Sequence, residues 1–207
     1  MTSRTVRYPT YWKPDFPFCS DPFFIFRLNQ PSSLFRSEYV FFGGWGRSPK
    51  RVVMKLELRP IDRSNYEECI KLHVLEGQKD FVAPNIYSLV QAAYEPNFFP
   101  LGVYEEEVMV GFILYDFDEE LAGWSMSRFM IDGRHQQRGL GKRAVQTFLH
   151  FFETKYCGEA LYTSAEVDNT RAIGLYSSLG FVEQEKFSYA HGGKTYHEVR
   201  MKKVFIR

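Results

Sequence analysis

A chain of 207 residues, 44% hydrophobic and 25% charged, is long enough for one ordinary domain with a sizeable core. A formal net charge of +1 supplies no global pull toward nucleic acid or a membrane surface, and neither is expected as a partner. Cys19, Cys69 and Cys157 are odd in number and lack C-x-x-C spacing, which argues against a disulfide framework or a zinc site and for a reducing cytoplasm. No apolar run approaches the roughly 18 residues of a membrane span. The opening "FPFCSDPFFIFRLN" is too broken by prolines and charges to be a signal peptide.

Residues 1–53 differ from the rest. They hold eight of the twenty phenylalanines and six of the ten prolines, with eight basic side chains against three acidic ones. The remaining eighteen basic and twenty-two acidic residues leave 54–207 at a net −4. Two readings of the front segment stand: an N-terminal extension whose aromatics dock on the body, or upstream sequence translated in error ahead of a start at Met54. The second is preferred, because "MKLELRPIDRSNYEEC" opens abruptly on a good strand followed by a well-signalled helix. The expected domain is therefore 54–207.

From there "KLELRPI" alternates as a strand. "SNYEECIKLHVL" reads as a helix with Ser64 and Glu67 at capping-box spacing. "NIYSLVQAAY" predicts a second short helix, and "FPLGVYEEEVMVGFILYDF" a hairpin turning at residues 105–107. "AGWSMSRFMID" is a further strand. "GKRAVQTFLHFFETKY" has apolar residues at helical spacing, its Phe148, Phe151 and Phe152 forming the face that packs on a sheet. Strand "EALYTSAEV" leads into helix "NTRAIGLYSSLGF", with Asn169 as N-cap and Gly180 at the position after the helix end. A closing hairpin turns at His191, Gly192 and Gly193. The order β-α-α-β-β-β-α-β-α-β-β describes a mixed α/β domain on one sheet.

The stretch "RHQQRGLGKR", 134–143, lies where a strand ends and a helix begins. Gly139 and Gly141 allow backbone conformations closed to other residues, and the first-turn amides of the helix have no internal acceptor. Free amides backed by the positive end of a helix dipole make an anion site, and phosphate is the usual occupant. Arg138, Lys142 and Arg143 add charge at its rim. Gln136 stands where the P-loop pattern needs glycine, and Ala144 where the dinucleotide fingerprint needs its third, so neither motif is present.

The pair Q-x-x-G-x-G, from Gln136 to Gly141, and N-x-x-A-x-x-L-Y-x-x-x-G-F, from Asn169 to Phe181, resembles the GCN5-related N-acetyltransferase (GNAT) superfamily, and the resemblance extends over 55–203. It implies a GNAT fold: a central mixed, mostly antiparallel sheet whose fourth and fifth strands splay, with flanking helices and acetyl-CoA as cosubstrate in the gap. It further implies that the loop carrying Gln136, Gln137, Arg138, Gly139, Gly141 and Lys142 holds the pyrophosphate. The backbone of Phe129, Met130 and Ile131 would pair with the pantetheine arm, and Asn169 would reach its amide. Within the family the chain looks most like the bacterial spermidine/spermine acetyltransferases, implying a small polyamine acceptor. Other amines (a protein N-terminus, a lysine, an aminoglycoside) and a non-catalytic acetyl-CoA-sensing role are the alternatives. Dimerisation is common in the family, and a homodimer is the assembly the resemblance allows.

Acetyl transfer needs a neutral amine, stabilisation of the oxyanion and a proton for the departing thiolate. Tyr176 matches the family tyrosine that points at the coenzyme A sulfur, and a phenol can serve a thiolate of pKa about 8.5. The general base is less evident, because Ser127 stands where several relatives have a carboxylate. Asp116, Asp118 and Glu166 are the nearby candidates, with Glu119 and Glu120 further out; "DFDEE" could attract a polycation or be a solvated turn. His73, His150, His191 and His197 lack metal-ligand spacing, and no metal is expected. His135 borders the phosphate loop.

Overall fold

The computed structural model describes residues 55–205. Both readings of the front segment, and the expected start at Met54, lie outside the described residues. The elements run β1 (Leu56–Pro60), α1 (Tyr66–Lys71), α2 (Asn85–Tyr94), β2 (Phe98–Glu105), β3 (Val108–Asp118), β4 (Gly123–Ile131), α3 (Leu140–Lys155), β5 (Leu161–Glu166), α4 (Thr170–Ser178), β6 (Val182–His191) and β7 (Lys194–Lys203). Short 3-10 turns occupy Glu76–Gln78 and Gly133–His135. This is the order expected from the sequence.

Seven strands form one sheet in the order β1-β2-β3-β4-β5-β7-β6, antiparallel throughout except for the parallel pair β4–β5. Helices cover both faces, giving two cores. Leu140, Ala144, Val145, Phe148, Leu149 and Phe152 of α3 form one apolar stripe, packed with Tyr176 of α4 on Ile113, Tyr115, Trp124 and Met126. On the opposite face Cys69 and Leu72 of α1 meet Met109, Phe112 and Leu114. β3 serves both cores, which is why its sequence is apolar on nearly every residue.

Local chemistry sets the turns. Val108 pairs with Glu105, leaving Glu106 and Glu107 as a two-residue hairpin turn, with Glu106 at φ 57. Gly192 and Gly193, at φ 58 and 80, make the corresponding turn between β6 and β7. Gly180 closes α4 at φ 84, and Asn169 caps it by accepting from the Ala172 N–H at 3.1 Å.

The start of α1 departs from expectation. Ser64 and Glu67 form no capping box. Asp62 Oδ1 instead accepts from the Ser64 amide at 2.7 Å and the Ser64 hydroxyl at 2.6 Å, while Asn65 occupies the N-cap without a side-chain cap bond. An Asx turn at Asp62 captures the hydroxyl that the capping box required. The helix is also shorter than its apolar pattern suggests, ending at Lys71. Beyond it the His73 amide donates to buried Asp132 at 3.1 Å, and the His73 carbonyl accepts from Gly133 at 2.8 Å, so tertiary bonds end the helix.

Candidate active site

β4 and β5 share only three paired positions, Trp124 with Leu161, Ser125 with Tyr162 and Met126 with Thr163. Beyond the last pair the strands part, and residues 127–131 have no strand on their β5 side. β4 contributes to the divergence with an irregularity: Leu114 pairs with Arg128 but Asp116 with Ser125, three residues against two. Thr163 marks the apex, its hydroxyl donating to the Met126 carbonyl at 3.0 Å. The gap opens into a cleft of about 1330 Å³ that runs from the α3 N-terminus to the β6–β7 hairpin.

At one end of the cleft the amides of residues 137–142 have no hydrogen-bond acceptor among the described residues; the first bond of α3 runs from Arg143 N–H to the Gly139 carbonyl. Gly139, the N-cap, sits at φ 75, and a Cβ there would meet nothing within 4 Å. Gln137, at φ 62, helps turn the chain. A Cβ on Gly141 would stand about 4 Å from Leu175, Ile131 and Phe129, at the mouth of the gap. These free amides, converging on open space at a helix N-terminus, suit a phosphate group.

The side chains around this cradle are unequally engaged. Lys142 is exposed and makes no ion pair among the described residues. Arg138 and Arg143 share Glu105, at 2.7 and 3.4 Å, and Arg138 also lies 3.4 Å from His135 Nδ1. The Gln136 side chain points away from the cradle. Its Nε2 donates to the Ile131 carbonyl at 2.9 Å and to Gln78 Oε1 at 2.8 Å, and its Oε1 accepts from Gln78 Nε2 at 3.1 Å. This amide clasp ties the loop to the 3-10 turn across the cleft. Nothing in the spacing of the two glutamines, 58 residues apart, announces it.

Asp132, fully buried at the end of β4, anchors the same region by accepting from the amides of His73 and Arg134 and from the Arg134 guanidinium. Burial raises its pKa, but these donors outweigh that and leave it below the usual carboxylate value. A buried aspartate following a strand carries no motif, so sequence reasoning missed it.

Tyr176 lines the cleft near the apex, packed against Phe181 at a ring separation of 5.6 Å. Burial pushes its phenol up to about 12, with the Thr163 hydroxyl acting in the opposite sense. It therefore stays protonated at neutral pH, able to donate a hydrogen bond. Phe129, Met130 and Ile131 line the gap from β4, and Asn169 from the start of α4. Asn169 Oδ1 is committed to its cap. All the residues expected from the sequence to hold cofactor, together with Tyr176, thus border this cleft except Arg138, which reaches outward to Glu105.

The far half of the cleft is polar and aromatic. Ser127 is exposed there. Glu166 and Glu198 face each other across β5–β7; Glu198 accepts from the hydroxyls of Ser164 and Tyr189, the latter at 2.8 Å. Lys194, at the hairpin tip, extends its ammonium to 3.4 Å from Asp80 and 4.0 Å from Glu166. In the "DFDEE" turn the carboxylates divide. Asp118 Oδ1 accepts from the amides of Glu120 and Leu121 at 2.9 and 3.0 Å, Glu119 and Glu120 are exposed, and Asp116 is buried. Among the described residues no group of His, Cys, Asp and Glu is arranged as a metal site, and no helix is long and apolar enough to cross a membrane.

Residues 63–181 fit the model of the acetyltransferase (GNAT) family. The spermine/spermidine N(1)-acetyltransferase of Bacillus subtilis is 29% identical over 135 residues, covering 62% of this chain and 88% of that protein. Among solved structures, the spermidine N-acetyltransferase of Vibrio cholerae in complex with CoA and spermine superimposes with a TM-score of 0.60 at 17% identity, over 72% of this chain and 95% of that one. A GNAT-family acetyltransferase of Streptococcus pneumoniae gives 0.54 at 18% identity, over 73% and 100%. The parted β4 and β5, the amide cradle at α3 and the match across more than half of the sequence lead to one conclusion: the chain belongs to the GNAT family of acetyltransferases.

Proposed function

We propose that this protein transfers the acetyl group of acetyl-CoA to a primary amine of a small polyamine, by direct attack of the amine on the thioester. The observation that carries the reading is the parting of β4 and β5 beyond Met126 and Thr163, with free amides at one end and carboxylates at the other. Residues 137–142 would hold the pyrophosphate through backbone N–H groups, with Lys142 adding charge. The unpaired edge of Phe129, Met130 and Ile131 would bond the pantetheine amides as an added strand does. Acetyl-CoA as cosubstrate supplies the activated acyl group. Tyr176, protonated and buried, would hydrogen-bond the departing sulfur.

A cationic acceptor is supported by Asp80, Asp118, Glu120, Glu166 and Glu198, which line the far half with Tyr189 and Tyr196. The Lys194 ammonium, between Asp80 and Glu166, is an internal example of the group such a site takes. The Bacillus relative is named for the same acceptors.

The experiment is thiol release from acetyl-CoA with spermidine, spermine, a diamine, a lysine peptide and an aminoglycoside supplied in parallel. Turnover confined to the polyamines is expected. Turnover only with another amine overturns the acceptor and keeps the transfer; none with any amine, despite coenzyme A binding, overturns catalysis and favours a sensing role.

A further inference from the structure

Five buried side-chain atoms lack a hydrogen-bond partner among the described residues, and three of them, Gln91 Oε1, Asp116 Oδ1 and Arg128 Nη1, lie on α2, β3 and β4 where these border one face of the sheet. Gln91 and Arg128 line the cleft, as does Ser125, the cross-strand partner of Asp116. Arg128 stands 5.4 Å from the ring centre of Tyr87, one helical turn before Gln91. Asp116 and Arg128 feel each other's charge, yet Asp116 Oδ1 and Arg128 Nη1 are not joined by a hydrogen bond. Orphaned polar atoms of opposite character, grouped beside a cleft, are the setting in which ordered water is held.

We propose that Asp116 is the proton acceptor for the attacking amine, drawing its proton through water held among Asp116, Arg128 and Gln91. The inference rests on the acetyl-transfer reading and assigns to Asp116, on the neighbouring strand, the role that the Ser127 hydroxyl cannot take. Burial, and then the Asp118 charge on the same strand, raise Asp116 to about 7, while Arg128 on β4 works against them. Arg128 is in turn faced by Tyr87 of α2 and Tyr189 of β6. A base poised near neutrality is suited to this task, and the Arg128 cation disfavours the ammonium form of an amine brought beside it.

The step balances. The alkylammonium gives one proton to the Asp116 carboxylate through water, and the freed lone pair attacks the thioester carbonyl carbon. The C–N bond forms and the C–S bond breaks, its electron pair leaving on sulfur. The nitrogen's next proton ends on that thiolate by way of Tyr176, and Asp116 returns its own to solvent.

The test is the pH profile of kcat/KM for the wild type and Asp116→Asn with the amine that the wild type turns over best. The wild type should gain activity as pH rises through about 7. Asp116→Asn should lose about 100-fold at pH 7, with its rise moved toward the amine's own pKa and its coenzyme A affinity unchanged. Activity within threefold and an unmoved limb overturn the proposal, as does a loss of rate accompanied by loss of coenzyme A binding. Absence of wild-type turnover with every amine removes the transfer reading and this one together. Melting temperature against pH gives a readout independent of catalysis. With its folded pKa raised, native Asp116 holds a proton the unfolded chain releases, so wild-type stability should fall between about pH 4 and 7, and Asp116→Asn should lack that fall. Where the amide variant does not fold, Asp116→Ala with activity restored by added formate decides the same question.

Discussion

At Tyr176 the packing seen in the structure and the proposed chemistry fall on one side chain, and the two can be separated. Tyr176→Phe keeps the ring against Phe181 and removes only the hydroxyl. We expect kcat to fall at least tenfold while coenzyme A affinity, read by calorimetry, stays within twofold. Because burial holds the phenol up to about 12, it is protonated throughout pH 6–10. The ratio of wild-type to variant rates should therefore be flat across that range, and a ratio that bends near neutrality would show a different role. The two cradle glycines offer a second separation. Gly139 at φ 75 has open space around it, so Gly139→Ala costs about 1–2 kcal/mol of backbone strain without a clash. Gly141 lies inside helix α3, where alanine gains up to about 1 kcal/mol. Its new methyl would stand among Leu175, Ile131 and Phe129 at the mouth of the gap. Gly141→Ala should thus melt no lower than the wild type yet bind coenzyme A about tenfold more weakly, an outcome that a merely structural glycine would not give.

Among the elements, the clasp between Gln136 and Gln78 couples the glycine loop ahead of α3 to the 3-10 turn at Glu76–Gln78, which leads into the cleft-lining residues 78–84. Gln136→Ala and Gln78→Ala should each raise the acceptor KM several-fold while leaving kcat within twofold. A double-mutant cycle should return a coupling of about 0.5–3 kcal/mol, as for residues in one hydrogen-bond network; additive effects would show that the amides act separately. This contact also marks the limit of what the sequence discloses. The strands, α2, the α4 cap at Asn169 and the glycine turns were legible because their signals are local: period, capping residue, positive φ. The free amides at the start of α3 were legible in outline, because a glycine before a helix marks a turn into unpaired first-turn N–H groups; the positive φ of Gln137 beside Gly139 was not. The clasp, the anchor at Asp132 and the burial of Asp116 were not, since each depends on partners 58 or more residues away or on which of several acidic residues the sheet covers. The premature end of α1 belongs with them: its apolar pattern continues to Leu75, but tertiary bonds at His73 prevail over propensity.

For the molecule as a whole, the parting of β4 from β5 divides the sheet into a four-stranded and a three-stranded part joined by three residue pairs and by the helices packed across the seam. Residues 127–131 and 164–166 on either side carry backbone groups that face the gap instead of a neighbouring strand. A cosubstrate lying between them would bond both edges and the α3 amides together, so binding energy enters the stability of the whole domain. A ligand at 100 times its Kd stabilises the native state by about 2.7 kcal/mol when the unfolded chain does not bind it. In a domain of this size that raises Tm by roughly 5–10 °C. On addition of coenzyme A, amide hydrogen exchange should slow most at residues 127–131 and 137–142, while β1 and β2, toward the far edge, should gain no more than the global stabilisation of the domain. Protection spread evenly over the sheet would instead mean that the ligand stabilises the fold without occupying the seam, and would move the cofactor away from the place where β4 and β5 part.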